Sequence, residues 1–486
     1  MSHDTRSAHR PATFSEVFAS GEYRAIYAGS ALSWIGDFVA KAAVTALVYQ
    51  RTEGNVTLSA ATFAISFLPW IVGGPVLAAL AERYPHRAVM ITCDLARTGI
   101  IALIALPHMP VWSMLVLLFT AALLNPPFEA ARSALLPRVL EGDRYVLGLA
   151  VQNSTGQAAQ VVGYLSGSAL AAVHPRLALL IDAGTFLFSA LAITIGVRSR
   201  QPLLSRSQRT HLLKETAQGF RVVFGTPVLR AIAVTVLAMQ LFTSPPEGNA
   251  AAWAGHLDPT AHDRGLAQGM IMMGAPLGYF IGGLAIGRLV RPDRRIRLIR
   301  PFAVLAPLTL IPTLFDPPAQ VVALLAALCG VCVAGMVPAS NGLFVQALPR
   351  QYRARAFGVM QSGLQILQGA AIMITGALAG HFSLPRVVGL WSIAGLALML
   401  AVSVRWPAPE EFTASIERNQ AANAAAEEAE AAVTGSGGRP GGGLPVPPPG
   451  LAPENNGGVS VPPPGVSPEN NGGAHAGSAM RTAESC

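Results

Sequence analysis

Hydrophobic positions along this chain cluster in runs of about 18–28 residues, separated by short polar joints. About 20 apolar residues in a helix cross the ~30 Å hydrocarbon core of a bilayer. A helix on a soluble surface would instead repeat a polar face every turn, and most of these runs show none. Twelve runs predict spanning helices near 24–50, 56–81, 87–107, 110–130, 145–173, 175–197, 226–246, 264–287, 298–315, 318–347, 357–382 and 385–405. Proline marks the joints at Pro85, Pro110, Pro137, Pro227, Pro317, Pro349 and Pro385. The fold class this predicts is an all-α membrane protein of twelve transmembrane helices.

The two halves of the pattern repeat. "NPPFEAARSALLPR" (125–138) and "VPASNGLFVQALPR" (337–350) set Pro126 against Pro338 and Pro137 against Pro349, both 212 residues apart. Asn153, Gln157 and Gln160 match Gln361, Gln365 and Gln368 at 208. "RAI" recurs at 24–26 and 230–232. Matches in order near 210 residues indicate a duplicated six-helix unit, an architecture of secondary transporters with the substrate site between the halves. The expected organisation is a cytoplasmic N-terminal segment (1–23), a six-helix bundle (24–197), a basic, partly amphipathic cytoplasmic linker (198–225), a second six-helix bundle (226–406) and a tail (407–486). The tail is rich in Gly, Pro and Asn and repeats "VPPPGLAPENNGG" as "VPPPGVSPENNGG" with a period of 15. With little apolar surface to offset its conformational entropy, it is expected to be disordered.

Composition agrees with a lipid solvent: 52% of the 486 residues are hydrophobic and 12% charged, against about 25% charged in soluble domains. The net charge of +8 does not point to nucleic acid, because no aromatic residues alternate with the basic ones to stack bases. It is a topological signal. With the N-terminus inside, about 25 Lys/Arg fall on inner segments and helix ends, and four (Arg51, Arg176, Arg264, Arg386) outside. Both termini are therefore expected in the cytoplasm, in a plasma-membrane protein. Residues 1–22 lack the apolar core of a cleaved signal peptide. Cys329 and Cys332 form a C-x-x-C inside an apolar run, not the strand–helix setting of a redox motif. The outer loop expected after the seventh span, "PPEGNAAAWAGHLDPTAHDRG" (245–265), holds His256, Asp258, His262 and Asp263 without the spacing of a structural metal site. No P-loop is present, so ATP is not expected to drive the protein, and no cofactor or metal is predicted.

The turn after the second run, "ALAERYPHR" (79–87), occupies the place of the signature G-x-x-x-D-R-x-G-R-R/K of the major facilitator superfamily. Glu82 stands for the Asp, Arg83 is kept and Arg87 closes the motif, while Ala78, Pro85 and His86 depart from it. The sequence resembles that superfamily over about residues 14–406. Within it, "SWIGDFVAKAAV" (33–44), "CDLAR" (93–97), "AARSALLP" (130–137) and "LLIDAGTFLFSAL" (179–191) resemble the drug–proton antiporter branch that includes macrolide and siderophore exporters. "VGYLSGS" (162–168) keeps Gly163 and Gly167 of that branch's fifth-span motif but has Tyr164 where proline is common. The resemblance implies alternating access and a cytoplasmic gate at Glu82, Arg83 and Arg87.

Ionisable groups near a bilayer centre cost at least about 2.5–3.5 kcal/mol, so they mark pathways or pairs. Asp37 and Lys41 sit i, i+4 on the first span, the acid N-terminal, the favourable order for a helical pair. The repeat counterpart of Asp37 is Thr243, so the acid breaks the internal symmetry, as suits proton coupling; a structural ion pair is the alternative. Asp94 and Arg97, in the third span, are assigned to the gate network, and Asp182 to a structural hydrogen bond. The amide faces Asn153/Gln157/Gln160 and Gln361/Gln365/Gln368 either line a cavity or clamp the halves together. Gly163 and Gly167 have the GxxxG spacing of close helix packing. The function expected is proton-coupled efflux of hydrophobic or amphipathic small molecules by a monomer in the bilayer. A solute importer on the same fold, and a non-transporting scaffold or sensor using the tail, are the alternatives.

Overall fold

The computed structural model describes residues 13–72, 84–200, 212–257, 261–349 and 352–435. Among them every regular element is helical. The chain opens with α1 (Phe14–Ala19), α2 (Gly21–Arg51), α3 (Val56–Ala64) and, after a 3-10 turn, α4 (Leu68–Val72). There follow α5 (His86–Ile104), α6 (Val111–Leu123), α7 (Asn125–Val139), α8 (Asp143–Val173), α9 (Pro175–Gly196) and α10 (Leu212–Gly225). Then come α11 (Pro227–Thr243), α12 (Pro245–Gly248), α13 (Ala250–Leu257), α14 (Ala261–Leu289) and α15 (Pro292–Leu310). The last four are α16 (Ala319–Ala347), α17 (Arg353–Ala379), α18 (Leu384–Val404) and α19 (Pro409–Gly435).

Local chemistry starts these helices where they start. Ser20 caps α2 by accepting from the Tyr23 amide at 3.3 Å, and Asn55 caps α3 by accepting from Leu58 at 3.0 Å, each satisfying an orphan N–H. α9, α11 and α15 begin on Pro175, Pro227 and Pro292, where the missing N–H costs nothing. Among the described residues nine helices are long and apolar enough to cross a membrane. Of the three other expected spans, one runs into residues 73–83, outside the described residues. Another, α5, carries Arg87, Asp94 and Arg97 within nineteen residues, and α8 is diluted by Gln152, Asn153, Gln157 and Gln160.

Three expectations need correction. The segment after the expected fourth span is helical as far as Val139, as part of α7, which carries Pro126 and Pro127 in its first turn, where proline is tolerated. Within the expected outer loop at 245–265 the described residues are largely helical, and their Ala-rich part is buried. Ala250, Ala251, Ala252, Trp253 and Ala254 are all buried, because small residues let the helix backbone approach its neighbours. The tail is not unstructured throughout. Its Ala/Glu-rich piece, made of strong helix formers, is α19, with Phe412 buried and stacked on Trp406. The Asn419 side chain donates to the Ala347 carbonyl, and the compact unit that contains the bundle runs to Glu428. The 15-residue repeat lies outside the described residues.

Packing follows the small residues. A Cβ on Gly163 would sit 2.9 Å from the Ile35 carbonyl oxygen, and one on Gly167 2.6 Å from Val39 Cα, so α8 rides directly on the backbone of α2. One large hydrophobic cluster draws only on residues 223–412, and four smaller ones only on residues 17–197. A further cluster, with Phe63, Tyr164, Trp253 and Ile372, draws on both stretches. Hydrogen bonds joining the two stretches gather toward one end: Gln268 donates to the Ala42 carbonyl at 2.9 Å and Thr57 to that of Gly376 at 3.4 Å.

Candidate functional site

Four helices bring ionisable side chains to one place in the interior. α2 supplies Asp37 and Lys41, α5 Asp94 and Arg97, α7 Asn125, Glu129 and Arg132, and α9 Asp182. Gly36 allows this approach: a Cβ there would lie 2.6 Å from Asp182 Oδ1 and 3.1 Å from Thr185 Cβ. Asp37, Lys41, Arg97, Asn125 and Asp182 line a common cavity with about 50 Å³ of water-sized space, room for a few waters at ~10–15 Å³ each.

Arg97 is the hub. It is buried, donates from Nη2 to Asn125 Oδ1, and lies with its guanidinium carbon 5.3 Å from the Phe128 ring centroid and 5.1 Å from that of Phe186. The charges close enough to act on Asp37 are Arg97, Lys41 and Glu129; those acting on Asp182 include Asp37, Arg97 and Lys41. Arg132 pairs with Glu129 and covers Trp34 at 4.7 Å. Asp94 is fully buried with Ser189 beside it, yet neither carboxylate oxygen closes a hydrogen bond of normal geometry. Asp182 accepts from the Thr185 hydroxyl at 3.5 Å on Oδ1, while its Oδ2 is left without a partner. A buried carboxylate needs compensation by opposite charge or hydrogen bonds. Here, among the described residues, the cations that act on Asp37, Asp94 and Asp182 are Arg97 and Lys41, with the partly exposed Glu129–Arg132 pair beside them. Fully ionised, the group has one carboxylate more than cations.

The sequence-predicted residues distribute as follows. Asp37 and Lys41 share the cavity without a direct ion pair; the ammonium lies 5.0 Å over Phe38 and 6.0 Å over Phe67. Arg97, assigned to the gate, instead reaches the cavity of Asp37. Arg87 stands apart from it and donates to the Thr194 carbonyl at 2.7 Å. Glu82 and Arg83 lie outside the described residues. Asp182 makes its hydrogen bond and also lines the cavity. Asn153 and Gln361 are exposed, and Gln157, Gln365 and Gln368 half-buried. His256 faces Asp316 at 3.0 Å, and Asp258 lies outside the described residues.

Gln160 belongs to a second polar centre that sequence reasoning missed. Its Nε2 donates to Glu247 Oε1 at 3.1 Å, and the Tyr164 hydroxyl donates to the same oxygen at 2.5 Å. Glu247 was hidden by the expectation of a loop. The signal that exposes it is a single acid between the apolar run at 226–246 and an Ala-rich segment ending in a tryptophan. Glu129 falls at the very end of the expected fourth span and Arg132 beyond it, so neither stands out in the sequence as a charge deep in an apolar run.

The sequence profile of the Major Facilitator Superfamily matches residues 26–326 and 255–437. Macrolide efflux protein A of Streptococcus pyogenes is 21% identical over 421 residues, covering 80% of this chain and 96% of its own. The multidrug efflux pump Tap of Mycolicibacterium fortuitum is 25% identical over 349 residues, covering 68% and 83%. Among solved structures, the nucleoside transporter NupG superposes with a TM-score of 0.61 at 12% identity, over 80% of this chain and 99% of that one. A bacterial homologue of the iron transporter ferroportin in its inward-facing state superposes at 0.58 with 13% identity, over 79% and 98%.

Proposed function

Because the chain belongs to the Major Facilitator Superfamily and is a multi-pass membrane transporter rather than an enzyme, we propose that it exports hydrophobic or amphipathic small molecules in exchange for protons. The observation that carries this reading is the interior cavity, with room for a few waters, in which Asp37, Asp182 and Arg97 meet, inside a wider group of four carboxylates and three cations. One proton neutralises that excess, and a few waters give it a route. Asp37 is the residue assigned to load and release it, with Lys41 and Arg97 setting how readily. The efflux relatives support the direction of transport.

Alternating access fits the same picture. The six-helix halves at 24–197 and 226–406 have largely separate hydrophobic clusters and are tied at one end. With both termini in the cytoplasm of a plasma-membrane protein, that end is the outer one, and the conformation is closed to the outside. The amide faces at Asn153/Gln157 and Gln361/Gln365/Gln368 then line the path between the halves, and Glu82, Arg83 and Arg87 the inner gate.

The test uses energised inverted membrane vesicles loaded with a pH-sensitive dye. Adding a substrate, found by a toxicity screen in cells with and without the gene, releases protons with the native protein. With Asp37→Asn at equal protein level the release is lost. An undiminished response in that variant overturns the role of Asp37.

A further inference from the structure

Glu247 is not needed by the proton-coupling reading, yet it is the acid around which the two stretches of chain meet. It comes from α12, while Gln160 and Tyr164 come from α8, and both donate to one oxygen, Oε1. The carboxylate is thereby held in a fixed orientation, with Oε2 left for another partner. Among the described residues Glu247 has no cation within ion-pair distance, although Lys41 is near enough to act on it.

The surroundings are aromatic. Tyr164 meets Phe38 edge-on at 5.1 Å between centroids and Phe63 at 6.5 Å, and Phe63 meets Phe67 at 5.8 Å. Ring faces attract cations, the more strongly where water is excluded. This wall already holds one, the Lys41 ammonium over Phe38 and Phe67. A metal ion is the wrong guest, since hard cations want several oxygen ligands and only one carboxylate is present. A large, weakly hydrated organic cation suits a carboxylate set among aromatic faces.

We infer that Glu247, oriented by Tyr164 and Gln160 and walled by Phe38, Phe63 and Phe67, binds the cationic head of an amphipathic organic cation, and that Lys41 holds this place when no substrate is bound. The inference rests on the transport reading and names its substrate class. The substrate's charge displaces the Lys41 ammonium from the ring faces, which links occupancy at Glu247 to the cluster around Asp37, four residues from Lys41 on the same helix.

The experiment measures equilibrium binding of radiolabelled tetraphenylphosphonium, a permanent organic cation, to the full-length protein in lipid nanodiscs. Uncharged triphenylphosphine oxide serves as the matched probe. The expected result is saturable binding of the cation. Glu247→Gln weakens it by about tenfold or more, Glu247→Asp retains part of it, and neither changes the uncharged probe. Lys41→Met tightens cation binding several-fold, which a merely damaged fold does not do. Absence of cation binding by the native protein, an unaltered affinity in Glu247→Gln, or equal loss of both probes overturns the assignment. Weaker cation binding in Lys41→Met overturns the place-holding role. The transport reading is judged separately: export of other compounds without cation binding removes this inference alone, and Glu247-dependent cation binding without any export removes the transport reading alone.

Discussion

Arg97 shows how one side chain sets the character of a buried site. It is the only cation of α5 that reaches the cavity, and its flat guanidinium can stack on Phe128 and Phe186 while donating to Asn125, which the point charge of a lysine does poorly. Removing it leaves Lys41 as the cation acting on Asp37 and Asp182 and takes from Asp94 the cation that acts on it. Breaking a buried charge pair costs about 3–5 kcal/mol, so Arg97→Met is expected to lower the thermal midpoint of the purified protein markedly. Adding Asp94→Asn recovers part of the loss, because one uncompensated acid is gone; a midpoint unmoved by Arg97→Met contradicts this account. Asp37, Lys41, Asp94, Arg97 and Asp182 are legible in sequence as charges in an apolar setting. Their meeting in one cavity is not, since it depends on how α2, α5 and α9 rotate about their axes. The departure from proline at Tyr164 reads in sequence as a weakened motif; in the structure it supplies the hydroxyl that holds Glu247.

At the scale of elements, small residues decide which helices touch. Gly167 has no room for a methyl group against Val39, so Gly167→Ala must push α8 off α2, an overpacking that costs about 1–3 kcal/mol. Gly184 on α9 has nothing within 4 Å of a built Cβ. The matched pair predicts a fall in melting temperature and transport for Gly167→Ala and near-native behaviour for Gly184→Ala, read by fluorescence-detected thermal unfolding and an efflux assay. The GxxxG spacing of Gly163 and Gly167 is visible in the sequence; the identity of their partner is not. Long apolar runs reveal helices well, and their ends follow from prolines and caps. The helical stretches of α7 after residue 130 and of α12–α13 are not legible because Pro137 and the Pro245-Pro246 pair read as joints, whereas Pro137 sits inside α7 and the pair opens a helical turn.

For the whole molecule, the sequence offers most directly the series of matches about 210 residues apart, because it needs only residues in order. It does not reveal where the bundle's unit stops. The end of the compact unit lies at Glu428 rather than 407, since Phe412 and Asn419 dock on the bundle. A chain cut after 435 is therefore expected to keep native stability and transport, and one cut after 406 to lose stability, as size-exclusion profiles and melting curves will report. A scaffold whose repeats recruit a partner predicts the opposite for the longer truncation, a lost phenotype in an intact membrane protein. The ammonium resting on Phe38 and Phe67 has a consequence for the carrier between cargoes. A transporter that lends its own cation to its acids is not electrically bare without cargo, so its cargo-free, proton-carrying return step is spared the penalty of moving uncompensated charge. Lys41→Met should slow net emptying of preloaded vesicles while sparing one-for-one swapping of labelled for unlabelled cargo, because swapping never uses the empty return.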